Sequence, residues 1–115
     1  MKAYAFNASL FCEDCGKRLV AAMDAKETQD NGDSDQYPQG PYPHGGGEAD
    51  TPQHCDACGV FLENPLTPDG DSYVREKANE HDEGDMAWSE IADAADRDGQ
   101  PTLAEWIRFY YAPGM

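Results

Sequence analysis

The sequence predicts an α+β fold: a small β core in the first half, followed by two to three C-terminal helices. Three observations carry this. Short apolar runs, "AYAF" at residues 3–6 and "VFL" at 60–62, lie close to two C-x-x-C pairs, Cys12/Cys15 and Cys55/Cys58. A stretch rich in Gly, Pro and Asp separates the pairs. After about residue 72, apolar residues recur at helical spacing between charged ones. A period of two suits a half-buried strand, and a period near 3.6 suits an amphipathic helix.

In chain order, "AYAF" reads as a strand with Tyr4 and Phe6 on one side, and a turn carrying Cys12 and Cys15 follows. In "KRLVAAMDAK", Leu19, Val20 and Met23 have helical spacing, although a strand over Arg18–Met23 is also compatible. Residues 28–54 read as an irregular loop, because Gly, Pro and Asp break regular structure. Tyr37, Tyr42 and His44 lie among its prolines, so partial order is expected. A short strand is expected at Val60–Leu62, a turn in "NPLTPDGD", then a helix over 72–81 beginning at Ser72. The next helix, 86–97, places Trp88, Ile91, Ala92 and Ala95 on one face, with Gly99 where a helix C-terminus favours it. In the last, Thr102 to Glu105 has capping-box spacing, and Leu103, Trp106, Ile107 and Tyr110 form the stripe. The two last helices are expected to pack as a hairpin onto Phe61, Leu62 and the N-terminal strand. Phe109 and Tyr111 exceed what one helix face buries. The whole reads as a single domain, 1–115: strand and first cysteine turn (1–27), loop (28–54), second cysteine turn (55–71) and helical part (72–115).

The chain has 115 residues, about one domain, and so a thin core for which a covalent or metal staple matters. It carries 23 acidic and 8 basic residues, a net charge of −15. The asymmetry is uneven: residues 1–26 net +1, residues 27–58 net −7 without a single base, and residues 59–115 net −9. Such a field repels nucleic acid and anionic membranes and favours basic partner surfaces. No segment approaches the roughly 20 apolar residues of a membrane span. The N-terminus lacks the uninterrupted apolar run of a signal peptide, so a cytoplasmic protein with reduced thiols is expected.

All four cysteines lie in C-x-x-C-G pairs separated by 39 residues. A two-residue gap lets one tight turn present both sulfurs to one ion, and four thiolates match tetrahedral zinc. The Gly after each pair would permit the positive φ that leads out of such a turn. Iron–sulfur ligation, thioredoxin-like redox chemistry and disulfides are the alternatives; the redox motif needs a βαβ frame and the disulfides an oxidising compartment. One structural Zn2+ per chain, held by Cys12, Cys15, Cys55 and Cys58, is the expectation. An ion closed by four thiolates has no open position for water or substrate. Its local charge of about −2 invites Lys17 and Arg18 as counter-charges. His54 adjoins Cys55 as a substitute ligand, as a hydrogen-bond donor to a thiolate, or as an exposed residue. His44 and His81 read as surface residues.

The two knuckles, "CEDCGK" and "CDACGV", resemble those of the zinc-ribbon group over roughly residues 4–22 and 53–66. The resemblance implies zinc knuckles on hairpin-like turns clamping one ion, and a zinc-ribbon-like β core. "GGGEADTPQHCDACGVFLENPLTPDG" is similar to small bacterial and phage-type zinc-binding proteins, a similarity that brings no activity with it. Nucleic-acid-binding ribbons usually carry Lys or Arg where this chain has Asp56 and Glu63.

Three functions follow as expectations. The first is a protein-binding module for a partner with a basic surface. Glu90, Asp93 and Asp96 recur every three residues opposite the Trp88/Ile91 face, behind Asp82, Glu83 and Asp85, and this stripe could imitate nucleic-acid phosphates. The second is a nucleic-acid-binding zinc ribbon with a regulatory role, opposed by a basic cluster limited to Lys17 and Arg18. The third is an enzyme, for which the chain lacks P-loop, G-x-S-x-G and H-E-x-x-H motifs; no catalytic residue is expected. "DNGDSD" departs from a calcium loop in its Gly position and lacks the bidentate Glu.

Overall fold

The computed structural model describes residues 1–113. It is α+β, with a three-stranded antiparallel sheet and four α-helices. The chain divides into two compact units, Met1–Leu66 and Thr67 onward.

The first unit opens with a hairpin of β1 (Ala3–Phe6) and β2 (Ser9–Cys12). Asn7 and Ala8 both have positive φ, 52° and 63°, the geometry of a two-residue hairpin turn whose twist matches the strands. The register pairs Ala3 with Cys12 and Tyr4 with Phe11. Helix α1 (Glu13–Ala25) follows β2 without a linker. Cys12 and Cys15 therefore lie at a strand-to-helix junction and not in a free turn. The helical reading of Leu19, Val20 and Met23 holds, and the strand reading of Arg18–Met23 does not.

Residues 28–54 are more ordered than their composition suggests. Successive Asx turns hold the acidic run: Asp30 accepts from the Gly32 N–H (2.9 Å), Asn31 from Asp33 (3.0 Å) and Asp33 from Asp35 (2.9 Å). Tyr37 is buried and its hydroxyl donates to Asp24 of α1 at 2.9 Å. Strand β3 (Gln39–Tyr42) then pairs antiparallel with β1, giving the order β2-β1-β3. Pro41 cannot donate to a ladder, so β3 suits only an edge. A 3-10 turn at His44–Gly46 follows. A Cβ on Gly45 would sit 2.3 Å from the Leu62 carbonyl oxygen, and its φ is +63°, so this position admits glycine alone without rearrangement.

The expected strand at Val60–Leu62 does not form. Val60 is exposed, and the segment makes a single antiparallel bridge between His54 and Phe61. Three apolar residues next to a tight loop are too few to extend a ladder. The core of this unit is Ala3, Cys12, Cys15, Cys55 and Leu62, with Leu10 and Phe11 against it. Three of the five buried residues in this cluster are cysteines, and Tyr4, Tyr37 and Phe61 are buried in the same unit.

The second unit holds α2 (Pro68–Asn79), α3 (Trp88–Arg97) and α4 (Pro101–Tyr111). Helix α2 starts four residues before the expected Ser72. Thr67 accepts from the Gly70 N–H at 3.1 Å and Pro68 occupies the first helical position, so the "TPDG" read as a turn is a helix start. Helix α3 ends as expected, with Gly99 at φ +82°. The Gly99 N–H bonds to Asp96 and the Gln100 N–H to Ala95, the Schellman arrangement. The Thr102 cap is not used: α4 begins at Pro101, whose fixed φ starts the helix two residues sooner. Ala78, Ile91, Ala92, Ala95, Leu103, Ala104 and Ile107 form the core, with Met86, Trp88, Trp106 and Tyr111 packed on it. Tyr111, and not Tyr110, completes the α4 stripe. The helices form this core from their own residues, and Leu62 belongs to the cysteine cluster of the first unit.

Candidate metal centre

Two devices bring the sulfurs together. The first is the N-terminus of α1. Cys12 is its N-cap, in extended conformation, and its Sγ accepts from the Cys15 N–H at 3.5 Å. Cys15 lies one turn in, so both sulfurs face the positive end of the helix, where thiolates are favoured. The second device is the loop Cys55–Val60. The Cys55 N–H bonds to the Val60 carbonyl (2.8 Å), the Gly59 N–H to Cys55 (2.9 Å) and the Leu62 N–H to Gln53 (2.9 Å). The Asp56 N–H bonds to the Leu10 carbonyl at 2.9 Å, which docks the loop on β2.

The result is a cluster of Cys12, Cys15, Cys55 and Cys58 whose Sγ atoms all lie within 4.8 Å of one another. Cys12 Sγ and Cys58 Sγ are 3.8 Å apart. A tetrahedron with metal–sulfur bonds of about 2.3 Å has sulfur–sulfur edges of about 3.8 Å. A disulfide would need about 2.05 Å, and all four cysteines are free thiols. The donor set therefore fits one metal ion.

The electrostatics agree. Without a cation, the hydrogen bond from Cys12 together with burial pushes the Cys15 thiol up to about 12. Burial also raises Cys12. At Cys55 burial again acts to raise the pKa, but the backbone N–H groups of Cys12, Cys58 and Ala57 outweigh it and hold the thiol at about 6. Four thiolates this close repel, and a bound dication reverses that balance.

The glycines after the pairs have different reasons. Gly59 has φ +81°, the expected exit from the turn. Gly16 is helical, and a Cβ there would lie 2.1 Å from the Tyr4 ring, so it makes room for that side chain. His54 lies outside the sulfur cluster: its Nδ1 is 2.8 Å from the Gly59 carbonyl and its ring stacks on Phe61 at 5.4 Å. Lys17 pairs with Glu13 at 3.6 Å, an exposed i,i+4 contact, instead of facing the thiolates. His44 is exposed, whereas His81 is largely buried with its Nδ1 2.7 Å from Asp98.

Asn64 escaped the sequence reading. It is fully buried. Its Oδ1 accepts from the Gln53 N–H at 2.7 Å, and its Nδ2 donates to the Thr51 carbonyl (3.2 Å) and the Pro65 carbonyl (3.1 Å). It ties together the two limbs of the Cys55–Cys58 loop. A lone Asn beside a proline reads as a turn residue, and nothing local distinguishes a buried one.

Of the acidic stripe on α3, Glu90 accepts from the Ala87 N–H at 3.2 Å and so caps its own helix. Asp93 and Asp96 both bind Arg108 of α4, each at 2.9 Å. All three carboxylates stay exposed.

No protein-family model, no characterised protein and no solved structure matches the chain. Among the described residues no helix is long and apolar enough to cross a membrane.

Proposed function

We propose that the chain is a structural-zinc protein that acts as a binding module for a partner protein with a basic surface. The observation that carries this is the donor set: four sulfurs at tetrahedral spacing, three of them from cysteines buried in the unit's core cluster. Thiolates in this arrangement suit Zn2+, and the closed set leaves no position for water or substrate, so the ion holds the fold and does no chemistry. Binding energy at such a site is folding energy.

The partner's character follows from charge. The net charge is −15, and among the described residues no Asp or Glu is buried and most are exposed. Docking would draw on long-range attraction, with Glu90, Asp93 and Asp96 as the contact stripe in the manner of nucleic-acid phosphates. The compartment is the cytoplasm, and the chain is not an enzyme.

Metal analysis of the purified chain tests the first half: one zinc per chain supports it, and iron with visible absorbance overturns it. The second half is tested by measuring the salt-dependent affinity of a captured basic protein for the wild type and for the triple variant E90Q/D93N/D96N. Equal affinities would refute the stripe. Retardation of an oligonucleotide at low salt would support a nucleic-acid-binding ribbon instead.

A further inference from the structure

We propose that Cys58 is a modification site for hydroperoxides, where oxidation joins Cys58 to Cys12 and opens the metal centre. The inference rests on the zinc reading above. The cluster is asymmetric: Cys12, Cys15 and Cys55 are buried, and Cys58 is exposed. Every residue from Asp56 to Val60 is exposed, so the loop tip meets solvent with no packed side chain over it. A small oxidant therefore meets the cluster on its Cys58 side. The resolving partner is already in place. Cys12 Sγ lies 3.8 Å away, so an approach of about 1.8 Å reaches the disulfide bond length of about 2.05 Å.

The chemistry balances. The Cys58 thiolate attacks one oxygen of hydrogen peroxide, the O–O bond breaks, hydroxide leaves and Cys58 becomes a sulfenic acid. The Cys12 thiolate then attacks the Cys58 sulfur, the S–S bond forms and a second hydroxide leaves. Each thiolate gives one electron, and the peroxide is reduced to two hydroxides. Only Cys15 and Cys55 remain as thiolate donors, too few to hold the ion. A thiol reductant reverses the bond.

The experiment uses the intact chain, with zinc content measured first, and adds equimolar hydrogen peroxide. Zinc release is followed with a chromophoric chelator, and the linked peptides are mapped by mass spectrometry without reductant. The expected result is stoichiometric release, a Cys12–Cys58 peptide, and reloading after reduction. Cys58→His keeps a zinc ligand but removes the oxidisable corner, and should slow release at least about tenfold. A Cys55–Cys58 link, no release, or release from the His variant at the wild-type rate would overturn the proposal. If that variant takes up no zinc, the wild-type peptide map decides. If the purified chain carries no zinc, the zinc reading fails by itself, and the Cys12–Cys58 peptide still reports on the thiol pair.

Discussion

Replacing Asn64 by Ala should weaken the metal centre from a distance. The side chain is fully buried and makes hydrogen bonds of 2.7, 3.1 and 3.2 Å to three backbone groups of residues 51–53 and 65. The truncation leaves one N–H and two carbonyls without this partner. A buried group left so costs about 1–3 kcal/mol; these three bonds are part-buried and water recovers some of the loss, so a net loss of about 3 kcal/mol is expected. Because the loop that Asn64 braces presents Cys55 and Cys58, folding and metal binding share the cost. If the metal-free unit is unfolded, zinc affinity falls by about 100-fold, the equivalent of about 3 kcal/mol. Competition with a chelator of known affinity measures this, alongside denaturant unfolding of the zinc-loaded protein. Gln53→Ala serves as control: it keeps the backbone N–H that Asn64 accepts and should stay within about 0.5 kcal/mol of the wild type. A loss below about 1 kcal/mol for N64A, or an equal loss for the control, would refute the bracing role.

Chelation should unfold the first unit and spare the second. Trp88 and Trp106 both belong to the second, so their fluorescence should hold while the far-ultraviolet dichroism of α1 and the sheet falls; parallel loss of both signals would contradict this. Gly16→Ala should cost about 1–3 kcal/mol, because its Cβ would lie 2.1 Å from the Tyr4 ring and 2.8 Å from the Tyr4 Cβ; an unchanged thermal midpoint would contradict that packing. In the helical unit, the Tyr111 hydroxyl (2.6 Å) and Arg75 (2.8 Å) hold the Asp71 carboxyl below its usual range. Its stabilisation is therefore complete above the unfolded value of about 3.9 and is lost as pH falls through the lower folded value. Asp71→Asn should flatten acid unfolding below about pH 4, and an unaltered acid limb would exclude this contribution. Arg108→Gln should cost no more than about 1 kcal/mol, since its pairs with Asp93 and Asp96 are exposed. It frees two carboxylates and should tighten binding to a basic partner; weaker binding would place the contact elsewhere.

Much of this molecule is legible in its residue pattern, because the decisive signals are local. Two C-x-x-C-G pairs announce a four-sulfur cluster, and the Trp88/Ile91/Ala95 spacing followed by Gly99 announces a capped helix. Other features depend on partners far along the chain. Ser9–Cys12 becomes a strand only by pairing with Ala3–Phe6, through an Asn-Ala turn that lacks the usual glycine. β3 borrows its ladder from β1 across a segment whose composition speaks for a loop. Pro68 and Thr102 mislead in opposite directions, since the same residue types open helices and make turns. The acidic stripe shows the limit most clearly. Spacing alone cannot reveal that Glu90 is occupied by its own helix end, or that Asp93 and Asp96 share Arg108.

One sulfur has two duties, since Cys12 both belongs to the metal cluster and caps α1. A helix of 13 residues with only Cys15 and Gly16 buried has little packing to hold it, and an isolated helix of this length is marginal in water. Its anchorage is concentrated at its first turn. Occupancy of the centre by an ion would thereby be converted into order along a rod of about 20 Å. At the far end stands Asp24, which receives the Tyr37 hydroxyl and so steadies the loop before β3. A change at four sulfur atoms would be felt as slackening of a surface that contains none of them, and a partner resting there could sense the ion without touching it.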